Sequence, residues 1–293
     1  MVGAKRISRG DRILQIVVNV VMAILLVVFL YPMWETLVRS LSSQRTADSL
    51  GIKLWPTEFT LDSYHYVLQN EDFLTGFKNS VIRTIAGSAI AVLFTYCGGY
   101  ALSRRDLPGK GVLTFYMVFT MFIGAGLVPT YLNIRNLGLM NTYWALILPG
   151  AVSAWNLTIC RNFIASLPYD LEESAMVDGA HPLTIVFRIV LPLSAPILAV
   201  LVLWTAVGQW NAWFDAMIYT PDNSMTVLQL VVRRMTVSSA DESAVVLSAS
   251  QADITSSTIK CATIMVSTIP ILCVYPFLQK YFVKGVMVGA LKG

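Results

Sequence analysis

Six long apolar stretches, separated by polar segments, constrain the fold of this chain more than any other feature. A hydrocarbon core about 30 Å thick requires roughly 20 apolar residues in a helix, and none of the stretches contains Lys, Arg, Asp or Glu. With 56% hydrophobic and 13% charged residues, the chain also lacks the polar surface of a soluble domain, in which about 25% of residues are charged. The sequence predicts an all-α integral membrane protein, with a single transmembrane domain over residues 1–293. The predicted spans are 13–31, 84–103, 111–132, 142–160, 189–209 and 261–279.

The first apolar stretch follows a basic tail, which is also the arrangement of a secretory signal. Lys5, Arg6, Arg9 and Arg12 precede it. The stretch is longer than the 7–15 residues that are typical of a signal sequence, and no small-residue cleavage site follows it. We therefore expect a retained first transmembrane helix rather than a cleaved leader.

The distribution of basic residues orients the predicted spans, because cytoplasmic segments carry an excess of Lys and Arg. If the N-terminus is cytoplasmic, the inside segments are shorter in total than the outside segments, yet they hold more than half of the 21 basic residues. We therefore expect both termini inside, a cytoplasmic loop at 161–188, and outer loops at 32–83 and 210–260. The inside basic residues are Lys5, Arg6, Arg9, Arg12, Arg104, Arg105, Lys110, Arg161, Arg188, Lys280, Lys284 and Lys292.

Composition also argues against two other kinds of site. A formal net charge of +4 can indicate nucleic-acid binding, but the basic residues are spread along the chain and show neither a zinc spacing nor a basic stripe. The four cysteines lie in or beside apolar stretches without CxxC spacing, so we interpret them as packing residues. His65 and His181 are predicted on opposite sides of the membrane. We therefore expect no metal site and no nucleic-acid partner.

The longest predicted cytoplasmic loop carries the local signals of a helix, a turn and a second helix. Three acidic residues between positions 170 and 173 suit the positive end of a helix. Gly179 can adopt the left-handed conformation that ends a helix, and Pro182 can open a second helix, which Leu191 and Pro192 break before the fifth span. An ordered loop with an acidic face indicates a docking surface for another protein, and an ordinary interfacial helix is the alternative.

These residues resemble the EAA loop of binding-protein-dependent ABC importer permeases. The family pattern is Glu-Ala-Ala, three residues, Gly, nine residues and Ile-x-Leu-Pro, and Glu173, Gly179 and Ile189 keep both spacings. Ser174 stands where the family usually has alanine. Other segments resemble the carbohydrate branch, and the tail is similar to the second permease subunit of maltose-type importers. Within that branch, the resemblance is nearest to permeases for complex oligosaccharides or polysaccharides, including alginate-type systems.

The resemblance implies partners and a mechanism. The chain would be a multi-pass protein of the bacterial cytoplasmic (inner) membrane and would form half of a heterodimeric pathway with a second, homologous permease. An extracytoplasmic solute-binding protein would deliver the carbohydrate, and two ATPase subunits would use ATP and Mg²⁺. The chain has no GxxxxGK phosphate loop. We therefore expect it to be non-catalytic and to bind no cofactor itself.

The resemblance also implies an ATPase-coupling site between spans 4 and 5. The helix that ends at Gly179 would be the coupling helix, seated in a cleft of the ATPase, and Glu173 and Asp178 would make polar contacts there. The residues assigned to this site are Glu172, Glu173, Ala175, Asp178, Gly179, Ala180, Leu191 and Pro192.

Aromatic residues near the predicted outer ends of the spans suggest where a sugar could pass. Trp204, Trp210 and Trp213 could stack on sugar rings, while Asn211 and Asp215 could bond hydroxyl groups. The alternative is an aromatic belt, which occurs at any membrane interface. The candidate pathway residues are Tyr131, Trp144, Trp204, Trp210, Asn211, Trp213 and Asp215.

Two further features leave alternatives open. Gly124, Gly126 and Pro129 in the third span indicate close helix packing or a kink, and a broken helix is the alternative. A broken helix would suit a secondary solute transporter, but no predicted span carries the ionisable residues that such transporters use.

In the outer loop, residues 238–248 are predicted to reach into the solute-binding protein, and the alternative is packing against the partner permease.

Overall fold

The computed structural model describes residues 9–47, 51–237 and 256–290. Within these ranges the regular structure is helical, and the β contact between Ser42 and Phe59 is an isolated antiparallel bridge. Three helices are long and apolar enough to cross a membrane, and up to six spans result if each bent pair of helices is one span. The predicted all-α membrane fold is confirmed. The helices in these ranges are α1 (Arg9–Ser40), α2 (Gln44–Ala47), α3 (Asp62–Gln69), α4 (Glu71–Ser103), α5 (Lys110–Phe122), α6 (Leu127–Asn136), α7 (Tyr143–Ile147), α8 (Ala154–Ala165), α9 (Asp170–Val177), α10 (Pro182–Thr184), α11 (Leu191–Leu193), α12 (Ala195–Asn211), α13 (Phe214–Tyr219), α14 (Leu228–Val237) and α15 (Ser256–Ala290).

Contacts divide the chain into two compact units. Unit 1 comprises Met1–Gln69 and Met235–Val266, and unit 2 comprises Asn70–Arg234 and Ser267–Gly293. Both candidate functional segments, the loop around residue 170 and the aromatic residues near position 210, belong to unit 2.

Unit 1 contains α1, whose apolar surface is bare. None of its most apolar window is buried, and Phe29 is 71% exposed. A helix this apolar requires lipid or another apolar protein surface around it. The helix includes the predicted span 13–31 but continues through Pro32 to Ser40. In the same unit, the Ser63 hydroxyl of α3 donates to Thr258 on α15 at 2.9 Å.

In unit 2, α4 is a single helix of 33 residues, about 50 Å long at 1.5 Å per residue. It begins at Glu71 rather than near residue 84, because Asn70 caps it: the Asn70 side chain accepts a hydrogen bond from Phe73 N at 2.9 Å. Asp72 in the first turn favours the same helix start. The segment predicted as the outer loop 32–83 is therefore helical at both ends, and Arg83 lies inside a helix.

The third candidate span is broken rather than closely packed. The axes of α5 and α6 meet at 115°. Gly126 has a φ of 83°, a backbone conformation that favours glycine, and no heavy atom lies within 4 Å of a Cβ built on Gly124 or Gly126. The chain therefore bends sharply at these glycines, as the broken-helix alternative predicted, and within the described residues no neighbouring helix packs against them.

Two other candidate spans also bend. The segments Tyr143–Gly150 and Ala154–Ala165 meet at 53°, and Pro182–Leu193 and Ala195–Asn211 meet at 80°. Pro192 removes a backbone donor next to the second bend. The expected break at Leu191 and Pro192 thus falls at Ser194, slightly later than predicted.

The core of unit 2 lies where α4 packs against α8 and α12. Tyr96, Cys160 and Leu201 are almost fully buried there. A Cβ on Gly99 would come within 3.0 Å of Cys160 Sγ and 3.2 Å of the Arg161 backbone nitrogen, so this close helix contact requires glycine. Cys160 is a free thiol that serves as a packing residue.

Candidate functional site

The helix expected to end at Gly179 does so in a Schellman motif. Gly179 has a φ of 75°. Its backbone N–H donates to Met176 O at 3.0 Å, and Ala180 N–H donates to Ala175 O at 2.9 Å. These two bonds satisfy carbonyls that a helix end would otherwise leave unpaired. The local sequence therefore fixes both the length of α9 and the sharp turn after it.

The outer face of α9 combines apolar and acidic side chains. Val177 is 83% exposed and Leu171 is 46% exposed, while Glu173 and Asp178 are also exposed. We name these four residues the docking face. A large apolar side chain at the tip of an exposed helix, with carboxylates beside it, is typical of a surface that a partner covers.

The opposite side of α9 and the chain after it pack onto the core. Ala175, Ala180 and Leu191 lie against the core cluster around Tyr96, whereas Pro192 is exposed. A π-helical segment, Ile185–Val190, follows α10, and π segments often occur at functional sites. Tyr96 Oη donates to the carbonyl oxygen of Val186 at 2.7 Å, so α4 satisfies a backbone group of this irregular segment.

Glu172 differs from the other acidic residues of α9 because it points inward. It is 8% exposed, and its carboxylate pairs with Arg104 just beyond the end of α4. Burial lowers the pKa of Arg104, but Tyr100 and Glu172, together with further acidic neighbours, outweigh it and raise that pKa above its ordinary value. Arg104 therefore stays protonated and positively charged throughout the physiological pH range.

A second polar site surrounds Arg83 on α4 and borders a cavity of about 250 Å³. The Arg83 guanidinium pairs with Asp215, and its Nε donates to Gln209 Oε1 at 2.7 Å. Asn156 and Thr205 line the same cavity. Their amide and hydroxyl groups, with Asp215, give the cavity the donors and acceptors that sugar hydroxyl groups require.

The chain after α13 is fastened to α4 next to this cavity. Asn79 is 3% exposed, and its Nδ2 donates to Ser224 O at 2.9 Å and to Thr226 O at 2.8 Å. Its Oδ1 accepts a hydrogen bond from Tyr143 Oη at 2.6 Å. These bonds hold the turn near residues 221–226 in a fixed position beside Arg83.

The structure does not gather the seven candidate pathway residues in one place. Of the seven, Asp215 lines the polar cavity. Trp210 is 5% exposed, and its Nε1 donates to Ser267 O at 3.1 Å, so it is a packing residue rather than a free stacking surface. The Arg233 guanidinium lies 3.9 Å from the centroid of the Trp213 ring. It therefore covers one face of the indole.

The remaining candidates are more open or are engaged locally. Trp144 is 51% exposed and Trp204 is 43% exposed. Tyr131 stacks on Tyr219 with ring centroids 6.4 Å apart. Asn211 Nδ2 donates to Val207 O within its own helix at 2.9 Å.

Sequence reasoning missed Arg83, Asn156, Thr205 and Gln209. Arg83 was assigned to the end of an outer loop because its charge ended the apolar stretch. A signal was nevertheless present: Gly76, Asn79, Arg83 and Gly87 recur at helical spacing, which places small and polar residues on one helix face. The predicted loop tip, 238–248, lies outside the described residues. Within the described part of the chain, no cluster of three or more His, Cys, Asp or Glu residues could hold a metal ion.

Comparison with known proteins agrees with this geometry. Residues 111–288 match the family described as binding-protein-dependent transport system inner membrane component. The chain is 42% identical to Protein LplC of Bacillus subtilis (strain 168), with 82% of this chain and 81% of that protein covered. It is 43% identical to the polygalacturonan/rhamnogalacturonan transport system permease protein YtcP of the same organism, with 82% and 84% covered. A solved chain of a bacterial ABC transporter that imports the acidic polysaccharide alginate has a TM-score of 0.90 and 32% identity, with 95% of this chain and 100% of that chain covered.

Membrane-spanning helices, with an exposed helix between two bent spans, are features of a transporter permease. This chain belongs to the family of binding-protein-dependent transport system inner membrane components. It is a permease subunit of an ABC importer, which excludes the secondary transporter considered from the sequence.

Proposed function

We propose that the chain forms half of the pathway by which an oligosaccharide fragment of a polysaccharide enters a bacterial cell. A solute-binding protein delivers the sugar to the outer side of the cytoplasmic membrane, and a second, homologous permease forms the other half of the pathway. The names of two similar proteins support this substrate class, since one transports polygalacturonan or rhamnogalacturonan and the other alginate. The polar cavity beside Arg83 supports it independently, because hydroxyl-rich ligands need such donors and acceptors.

We infer that the docking face of α9 seats on an ATPase subunit and that two such subunits hydrolyse ATP with Mg²⁺. The observation that carries this inference is the rigid end of α9. The Schellman motif fixes Val177 at the tip of the helix, and Val177 is 83% exposed. A partner that buries this side chain gains about 1.5 kcal/mol or more from its apolar surface. In this scheme the ATPase subunits bind the nucleotide.

The test replaces Gly179 and measures uptake. Gly179→Val forces a β-branched residue into the left-handed region, at a cost of about 1–3 kcal/mol, so α9 should end differently and Val177 should move. We expect normal membrane insertion, reduced copurification of the ATPase, and uptake of labelled uronate oligosaccharide reduced at least tenfold.

The matched control is Gly179→Asn, since asparagine tolerates the left-handed conformation better than other non-glycine residues. It should retain most uptake, and sugar binding by the isolated solute-binding protein should be the same in every case. Normal uptake by the Gly179→Val variant would contradict the docking role of α9.

The proposed orientation places both termini and α9 in the cytoplasm, and cysteine labelling tests it. In a variant without the four native cysteines, Arg105→Cys and Ser166→Cys should resist an impermeant thiol reagent in intact cells, while Thr57→Cys and Ser224→Cys should react. All four positions are exposed, so a reversed pattern would reflect topology rather than burial and would overturn the orientation.

A further inference from the structure

One cluster of side chains joins the inner side of α9 to the end of α4. Glu172 Oε2 accepts hydrogen bonds from Arg104 Nη1 at 2.6 Å and from Tyr100 Oη at 2.9 Å. Arg104 is the C-cap residue of α4. Its Nη2 donates to Tyr169 Oη at 3.0 Å, and its guanidinium lies 5.1 Å from the Tyr169 ring centroid. The coupling helix and α4 are therefore held together by one carboxylate and one guanidinium.

Burial distinguishes this ion pair from the other carboxylate contact of Arg104. The side chains of Arg104 and Glu172 are 15% and 11% exposed. Asp106 also contacts Arg104, at 3.2 Å, but its side chain is 76% exposed. Exposed ion pairs contribute little because water screens them, whereas the loss of one partner from a desolvated pair leaves an uncompensated charge. The orientation of α9 thus depends on Glu172 far more than on Asp106.

The two routes from α9 into the membrane differ in stiffness. One route leads through Ala180 and the π segment Ile185–Val190 to the 80° bend between α11 and α12. The other leads through the Glu172–Arg104 pair directly to α4, which runs unbroken for 33 residues. A straight helix moves as a body, while an irregular segment with a bend absorbs displacement.

We propose that Arg104 and Glu172 are positioning residues that transmit movement of α9 to α4 and so keep ATP hydrolysis linked to transport. This inference rests on the proposed function, because it requires an ATPase on the docking face. When the ATPase moves α9, the ion pair moves the adjoining end of α4. Because α4 is rigid, the same movement reaches the polar cavity at Arg83.

The test uses the complete importer in proteoliposomes with its solute-binding protein, and it measures the ATP hydrolysed per sugar imported. Glu172→Gln keeps the side-chain size and removes the charge. We expect the ATPase to copurify normally and ATP hydrolysis to change less than twofold. Sugar uptake should fall so that the ratio rises about tenfold, within the usual range of coupling between sites.

Charge exchange distinguishes a specific pair from a general structural role. Arg104→Glu alone should uncouple the importer, and the double variant Arg104→Glu/Glu172→Arg should bring the ratio back to within about threefold of the wild-type value, since the pair is restored with opposite polarity. Asp106→Asn is the matched control, because it removes an exposed carboxylate from the same arginine. It should leave the ratio unchanged.

The outcomes separate this inference from the proposed function. If the wild-type chain neither copurifies with an ATPase nor supports ATP-dependent uptake, the proposed function fails. If the wild-type importer works and Glu172→Gln keeps the wild-type ratio, the inference is overturned. It is also overturned if Glu172→Gln releases the ATPase, because Glu172 would then act in docking, or if the charge-exchanged pair folds without restoring the ratio.

Discussion

The two arginines at Arg83 and Arg104 both pair with a carboxylate, but their surroundings differ. The Arg83 side chain is 3% exposed. Besides pairing with Asp215, it donates to the backbone carbonyls of Leu146 and Ala212, each at 3.3 Å. Backbone carbonyls in a packed segment cannot turn away, so Arg83 is bound by groups with fixed positions.

The Arg104 guanidinium, in contrast, donates to side chains. It donates to the carboxylates of Glu172 and Asp106 and to the hydroxyl of Tyr169. A side-chain acceptor, unlike a backbone carbonyl, can change rotamer when the contact is lost, although Glu172 is itself buried. Tyr169 and Asp106 are already exposed.

These surroundings indicate that the two ion pairs, one within α4 and one at its C-cap, have different roles. The Arg83 site holds α4 to the segments that border the polar cavity, and its loss should cost stability. Under the proposed function, the Arg104 site holds α4 to a helix that the ATPase moves, so its loss should cost coupling. Stability and coupling measurements on matched variants therefore test whether the two sites differ in this way.

The largest effect on stability is expected at Arg83. Arg83→Met fills a similar volume but leaves Asp215 without its cation and the Leu146 and Ala212 carbonyls without a donor. Removing one partner from a buried pair costs about 3–5 kcal/mol. We expect the lower end of that range, about 3 kcal/mol of unfolding free energy, because Asp215 is 28% exposed. Denaturant unfolding in bicelles, followed by tryptophan fluorescence, measures it.

Arg83→Lys is the control for this variant. Lysine keeps the charge but loses the forked geometry that reaches a carboxylate and two carbonyls together. Its unfolding free energy should lie between those of the wild type and Arg83→Met. Equal stability of Arg83→Met and the wild type would show that the Arg83 site does not hold α4 to the segments around the polar cavity.

Much of the fold was predictable from the sequence, because a run of about 20 apolar residues is a strong and local signal. The end of α9 at Gly179 also followed from local chemistry. The start of α4 at Glu71 did not, since the charge of Arg83 looks like part of a loop until its partners are known. Those partners lie far along the chain, and no local pattern specifies them.

A smaller loss of stability is expected at the other end of α4. Arg104→Met removes the cation from Glu172, but Glu172 keeps its hydrogen bond from Tyr100, and no backbone carbonyl loses its donor as Leu146 and Ala212 do in Arg83→Met. We expect a decrease of about 1 kcal/mol in unfolding free energy, between the values for exposed and buried pairs. The same bicelle measurement checks it beside Arg83→Met. A loss at Arg104 as large as the loss at Arg83 would remove the distinction between the two sites.

The candidate sites show the same limit of sequence reasoning. The acidic part of the docking face, Glu173 and Asp178, was predictable because these residues are neighbours along one short helix, whereas its apolar members Leu171 and Val177 were not singled out. The polar cavity was not, because Arg83, Asn156, Thr205 and Asp215 come from four separate segments that tertiary packing brings together. For the same reason, the sequence could not tell which aromatic residues pack inside the chain, as Trp210 does, and which stay exposed, as Trp144 does. Whether Trp210 faces a pathway or a neighbouring helix depends on Ser267 and Phe77, which the local sequence does not specify.

The smallest and most discriminating effect comes from removing one hydroxyl at each site. Tyr143→Phe leaves Asn79 Oδ1, in a side chain that is 3% exposed, without its 2.6 Å hydrogen bond. It should lower the unfolding free energy by about 1 kcal/mol, the usual value for a buried hydrogen bond. Tyr100→Phe removes a donor from Glu172, whose Oε2 still accepts from Arg104, so the decrease should be about 0.5 kcal/mol.

The ATP hydrolysed per sugar imported should respond in the opposite order, with Tyr100→Phe raising it and Tyr143→Phe leaving it unchanged. If Tyr143→Phe raised that ratio more than Tyr100→Phe did, coupling would depend on the Arg83 end of α4, and the assignment of the two sites would have to be exchanged.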